Sequence, residues 1–158
     1  MTRAAASGVV ALGRLAAERE PGRVGRDWEP VLAELPLFRG LPRRHLRRIP
    51  ARMQRFADGT AIVRAGAPGN AFYVLLEGKA RVEPPRGRTV TLKPGDSFGE
   101  LALLDGAPRS ADVTAVGEVL ALAVSRNGFS KLLRDEPQVA LTLLRTLAGR
   151  LRDAERGY

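Results

Sequence analysis

Residues 98–113 read FGELALLDGAPRSADV. An acid, Glu100, and a base, Arg109, sit nine positions apart in a segment rich in glycine, alanine, leucine and proline. Those neighbours suit a tight turn and a core; they do not suit a solvated charge pair. Residues 102–104 can form one helical turn behind Gly99 and Glu100. The first backbone N–H groups of such a turn lack partners and attract anions. Gly99 allows close approach to the backbone, and Pro108 fixes the return of Arg109, whose planar fork can grip a phosphate with two bonds. Glu100 would repel a phosphate but can accept from a sugar hydroxyl beside it. Residue types alone leave a second reading open, in which Glu100 and Arg109 form an ion pair that closes an ordinary loop.

On both sides of this stretch lie short runs rich in Val and Leu: TAIVRAG (60–66), AFYVLLEGKARVEP (71–84), RTVTLKPG (88–95) and SADVTAVGEVLALAV (110–124). Glycines punctuate them at intervals of about eight to twelve residues, the signature of an all-β sandwich or barrel. Residues 76–79, LEGK, read as a tight hairpin with Gly78 at positive φ. In LKPGDSFG a strand ends, turns at Pro94-Gly95 and re-enters.

The flanks have a helical period. Residues 28–56 carry Leu32, Leu35, Leu37, Phe38, Leu41, Leu46, Ile49 and Met53 between prolines 36, 42 and 50, which predicts two or three short helices. Ser125 can cap a helix over 126–134. Pro137 opens a longer one, on which Val139, Leu143, Leu147 and Leu151 form a stripe for packing on the barrel or on a partner helix. The first 27 residues give a weak helical signal or a flexible tail, and their short apolar run is broken by Arg14, unlike a signal peptide.

Composition excludes several classes of function. There is no cysteine, which fits a reducing, cytoplasmic setting and removes thiolate metal sites. His45 is the one histidine, so a cupin-type metal enzyme or a histidine-dependent triad lacks its material. No enzymatic activity, cofactor or metal is expected. No apolar run reaches the roughly 18 residues of a membrane span. The net charge of +9 sits at the ends: residues 57–136 hold ten basic and ten acidic side chains. An anion bound there needs specific placement, because no general positive field draws it in. Seven arginines between Arg39 and Arg55 suggest a basic N-terminal helix, either a solvated face or a contact for an acidic partner, a nucleic-acid backbone or an anionic membrane surface.

The string FGELALLDGAPRSADV resembles the phosphate-binding cassette of the cyclic-nucleotide-binding domain family, of the catabolite-activator and cAMP-dependent-kinase regulatory type. Its pattern, roughly F-G-E-L-A-L-x-x-x-x-P-R-[AST]-A, is matched at every fixed position. PLFRGLP, FYVLLEGKARV, LKPGDSFGE and FSKLL agree with the family in order, and the resemblance covers about residues 30–156. It implies a mainly β fold with flanking α-helices: an eight-stranded jelly-roll barrel over about 53–124, N-terminal helices over about 28–52 and C-terminal B and C helices over about 126–156. It implies that Arg109 contacts the exocyclic phosphate oxygens, Glu100 accepts from the ribose 2′-hydroxyl, and backbone groups of Gly99, Leu101 and Ala102 line the pocket. Ser110 would add a hydroxyl to the phosphate, or to a syn purine.

The resemblance further implies a small regulatory sensor that binds cAMP, with cGMP as the other candidate, and signals by movement of its C-terminal helix. A protein partner and a homodimer through that helix are the expected contacts. Family members that bind DNA continue into a helix-turn-helix; this chain reads as a stand-alone domain without one, or as a fragment of something larger. The two hydroxyl residues that meet adenine in the family fall here at Ala154 and Glu155, which do not repeat them. A degenerate, non-binding module acting through its basic N-terminal helix is the alternative reading.

Overall fold

The computed structural model describes residues 29–156; the expected N-terminal helix or tail, 1–27, lies outside them. The chain runs α1 (Glu29–Ala33), a 3-10 turn (Pro36–Phe38), α2 (Arg43–Leu46), β1 (Ala51–Phe56), β2 (Ala61–Val63), β3 (Ala71–Glu83), β4 (Val90–Leu92) and β5 (Ser97–Phe98). It continues through α3 (Glu100–Asp105), β6 (Asp112–Ser125), α4 (Arg126–Asp135) and α5 (Pro137–Glu155). The strands form one antiparallel sheet in the order β1-β6-β3-β4, with β2 added to β6 and β5 to β3. A mainly β architecture with helices at both ends is what the sequence predicts.

The alternation of side chains along a strand divides the core in two. Phe72, Val74 and Leu76 of β3, with Leu120, Leu122 and Val124 of β6, face the helices and pack with Leu32, Phe38, Phe129, Leu132, Val139 and Leu143. Leu75 of β3 and Val119 and Ala121 of β6 face the other way, with Val63, Leu92, Phe98 and Val113. With both faces covered, the middle strands read as near-continuous apolar runs rather than as clean alternation.

The expected hairpin at 76–79 is not there. β3 passes straight through it, and the register against β6 slips between Leu75 and Glu77 and again between Glu77 and Lys79. Gly78 does take positive φ, at +85°, but inside a bulge. A Cβ there would lie 2.3 Å from the Glu118 carbonyl oxygen, so the glycine serves close backbone approach as well as turning. β3 and β6, 13 and 14 residues long, therefore each do the work of two shorter strands, and six elements stand where eight strands were expected.

The helices that hold the site behave largely as their sequence predicts. Ser125 Oγ accepts from Gly128 N at 3.1 Å and caps α4, and Pro137 occupies the first turn of α5. The arginine-rich run is not one helix. Pro42 and Pro50 confine α2 to four residues, Arg52 and Arg55 lie on β1, and Arg47 Nε is held by the buried Glu29 Oε2 at 2.6 Å. His45 Nδ1 meets Glu136 Oε1 at 2.9 Å, and Gln138 Nε2 donates to the Arg39 carbonyl at 3.2 Å. These two contacts tie the α4–α5 junction to the N-terminal helices.

Candidate functional site

α3 begins where β5 ends. Gly99 caps it in the left-handed region, with φ +89° and ψ 2°. A Cβ at this position would lie 2.7 Å from Arg109 Nη1 and 3.0 Å from the Ala71 carbonyl oxygen, so glycine is required for conformation and for space. Arg109 is pinned from its own backbone: its N–H donates to Ala67 O and its carbonyl accepts from Gly66 N, each at 2.8 Å. Its guanidinium then donates from Nη1 to Gly99 O at 2.7 Å and from Nη2 to Ala71 O at 2.6 Å.

Arg109 is 8% exposed and Glu100 is 2% exposed, but they are not an ion pair. Glu100 is taken by a residue the sequence did not single out. Arg150, on α5, donates from Nη1 to Glu100 Oε1 at 2.7 Å and from Nη2 to Ser97 O at 2.9 Å. Among the described residues Arg109 forms no ion pair, so its charge is buried without a carboxylate. Burial accordingly lowers its pKa from the ordinary arginine value, and Arg126 acts in the same sense, while Tyr73 and Glu100 oppose the shift. Burial raises the pKa of Tyr73, against the pull of Arg109.

A third arginine braces the cassette from outside. Arg126, first residue of α4, donates to Gly69 O from Nε at 3.2 Å and from Nη2 at 2.7 Å, with Nη2 3.5 Å from Ala102 O. Gly69 packs so tightly under α3 that a Cβ there would sit 2.5 Å from the Ala102 Cβ.

All six expected residues, Gly99, Glu100, Leu101, Ala102, Arg109 and Ser110, line one cavity of about 420 Å³. Its inner wall is apolar, with Val63, Val82, Leu92, Phe98 and Val113, and its outer wall is α5, with Arg150, Asp153 and Ala154. Few convergent polar groups in an apolar cleft of this size are what a small-molecule site requires. Of the two helix positions expected at the base, Ala154 lines the cavity and Glu155 does not; Asp153 does.

The signal for Arg150 was in the stripe on α5. At about 100° per residue, Arg150 lies eleven positions from Val139 and returns to within about 20° of it, whereas Leu151 drifts about 120° away. Val139 and Leu143 are 1% and 3% exposed, and Leu151, expected in the same stripe, is 61% exposed.

The family model described as "Cyclic nucleotide-binding domain" matches residues 53–136, more than half of the chain. The chain belongs to the cyclic-nucleotide-binding domain family. It is 31% identical over 131 residues to the CRP-like cAMP-activated global transcriptional regulator of Mycobacterium tuberculosis, covering 78% of this chain and 58% of that protein. It is 37% identical over 110 residues to a cAMP-dependent protein kinase regulatory subunit of Hypocrea atroviridis, covering 68% of this chain and 24% of that protein. The crystal structure of the Thermus thermophilus catabolite activator protein superposes with a TM-score of 0.70 at 36% identity, over 77% of this chain and 61% of that one. The jelly-roll fold of the family is thus the fold of this domain. The chain spans less than two thirds of the length of these relatives. No described helix is long and apolar enough to cross a membrane.

Proposed function

We propose that this cyclic-nucleotide-binding domain takes a cyclic purine nucleotide into the cavity, with cAMP as the principal ligand, and that it regulates a partner rather than catalysing a reaction. The observation that carries the reading is Arg109: a buried guanidinium with no carboxylate partner among the described residues, beside the start of α3. Burying a lone charge is costly, and an incoming phosphate relieves that cost. Two of its five N–H donors are spent on Gly99 O and Ala71 O. The others are free to grip the exocyclic oxygens. The N–H groups of Leu101 and Ala102 and the Ser110 hydroxyl complete the anion cradle. The names of the relatives above, one cAMP-activated and one cAMP-dependent, support the choice of ligand.

Glu100 then accepts from the ribose 2′-hydroxyl. A carboxylate has room for this while still holding Arg150, because its two oxygens offer about four acceptor directions. Arg150 joins the ribose site to α5, and we read this helix as the output, moving against the barrel when the sugar arrives. Leu141, Leu144 and Leu151, at 47%, 61% and 61% exposure, give it a face for a protein partner or a second copy of the chain.

The test is calorimetric titration of ligand-free protein with cAMP, alongside Arg109→Lys. Lysine keeps the charge and loses the fork. Charge-assisted hydrogen bonds contribute roughly 1.5–3 kcal/mol each, so the variant should bind about 10- to 1,000-fold more weakly. Wild-type affinity in the variant would refute the geometry, and silence from the wild type would leave the non-binding module.

A further inference from the structure

We infer that the arginine surface beside the α4–α5 junction docks an acidic peptide segment of a partner protein, with one apolar side chain seated in a cavity next to it. The nucleotide cavity takes no part in this surface. Residues 39–48 carry five arginines and no acid. Arg43 and Arg47 are paired with the buried Glu29. Arg39, Arg44 and Arg48 are exposed, and their side chains form no hydrogen bond or ion pair among the described residues. They border a second cavity, of about 340 Å³, whose apolar lining is Ile49, Pro50 and Leu132 and whose polar lining is His45, Arg48, Asp135 and Glu136. Arg44 immediately precedes His45, and the Arg39 carbonyl is held by Gln138, two positions past Glu136. His45 is spent on Glu136, which leaves Arg48 and Asp135 as the unpaired charges of the lining.

The charges of this cavity are one-sided, and that selects among anions. Its basic groups come from the N-terminal helices and its acids from the end of α4. A nucleic-acid duplex or an anionic membrane presents negative charge across a broad front, which would meet Asp135 and Glu136 as well as the arginines. A membrane contact also needs apolar side chains to insert, and Leu37, Leu46 and Ile49 are only 7%, 1% and 4% exposed. A short peptide meets both demands. Its carboxylates can pair with the arginine forks alone, its apolar residue can turn into the cavity, and its backbone N–H groups suit the Asp135 carboxylate, which only accepts. This chain has no run of three acids to serve as its own occupant, so the segment belongs to another protein. Docked there, it also touches Glu136, where α4 passes into α5.

The experiment is fluorescence anisotropy of the full chain with two labelled peptides, one carrying an acidic triplet ahead of a leucine and one carrying it behind. At least one should bind saturably, and more weakly as salt rises. Arg44→Glu combined with Arg48→Glu should weaken binding by about fivefold or more, because two exposed charge pairs are reversed. Arg44→Gln with Arg48→Gln, neutral rather than reversed, should fall between. Replacing the peptide leucine by glycine should weaken binding by about tenfold. Both arginines are exposed, and urea unfolding verifies that the variants fold. Failure of both peptides, unchanged binding by the reversed variant, or tighter binding of a DNA duplex or of phosphatidylserine vesicles than of either peptide would overturn the proposal. None of these results bears on the nucleotide cavity.

Discussion

Replacing Arg150 by methionine removes the charge that crosses from α5 to the cassette while keeping much of the aliphatic stem. It breaks the 2.7 Å contact with Glu100 Oε1 and the 2.9 Å bond to Ser97 O, and leaves a carboxylate 2% exposed without its cation. Stripping one partner from a fully buried pair costs about 3–5 kcal/mol. The Arg150 side chain is 45% exposed, so water already screens it and can reach the vacated position. The loss should fall to about 1–3 kcal/mol. Urea unfolding of ligand-free protein reads this directly, and for a domain of this size it corresponds to a fall in Tm of about 3–10 °C. Glu100→Gln supplies the control, since a neutral amide no longer needs a cation. In that background Arg150→Met should cost clearly less, with a coupling energy of about 0.5–3 kcal/mol. A wild-type unfolding midpoint in Arg150→Met, or the same loss in both backgrounds, would refute the claim that the pair holds α5 on the barrel.

Two further outcomes follow from the same structure. Gly78→Ala should destabilise the domain by at least about 1–3 kcal/mol, because alanine is strained at φ +85° and its Cβ would collide with the Glu118 carbonyl; an unchanged urea midpoint contradicts the bulge. Burial raises the Tyr73 pKa above 10.0, so above that pH the unfolded chain releases a proton that the folded one keeps. Tyr73 therefore favours the fold below about pH 10 and ceases to do so as pH rises through and beyond that value. Tyr73→Phe should lose less stability than the wild type between about pH 9 and pH 11, with parallel losses as the contrary result.

How much of this was legible in the sequence depends on how local each cause is. The cassette could be read because its parts are close in the chain: a left-handed glycine, a short helix and a proline-arginine return all lie within residues 99–109. The Ser125 cap and the Pro137 start are equally local. The partner of Glu100 was not, since Arg150 is 50 positions away and reaches the site only because α5 lies across the cavity mouth. Gly78 looked like a hairpin because positive φ is common to turns and bulges, and only the opposing Glu118 carbonyl on β6 tells them apart. The arginine run misled in a similar way. Its charges suggest one helix face, but the prolines at 42 and 50 divide it, and the buried Glu29 takes Arg47 into an ion pair.

The most direct measurement of the central claim is amide NMR of the ligand-free chain titrated with cAMP. Saturable shifts are expected at Gly99, Glu100, Leu101, Ala102 and Ser110, with shifts along α5 around Arg150 and none confined to the arginine surface on and just after α2. Spectra that stay unchanged through the titration, or shifts that appear only at Arg43, Arg44 and Arg48, would contradict the claim.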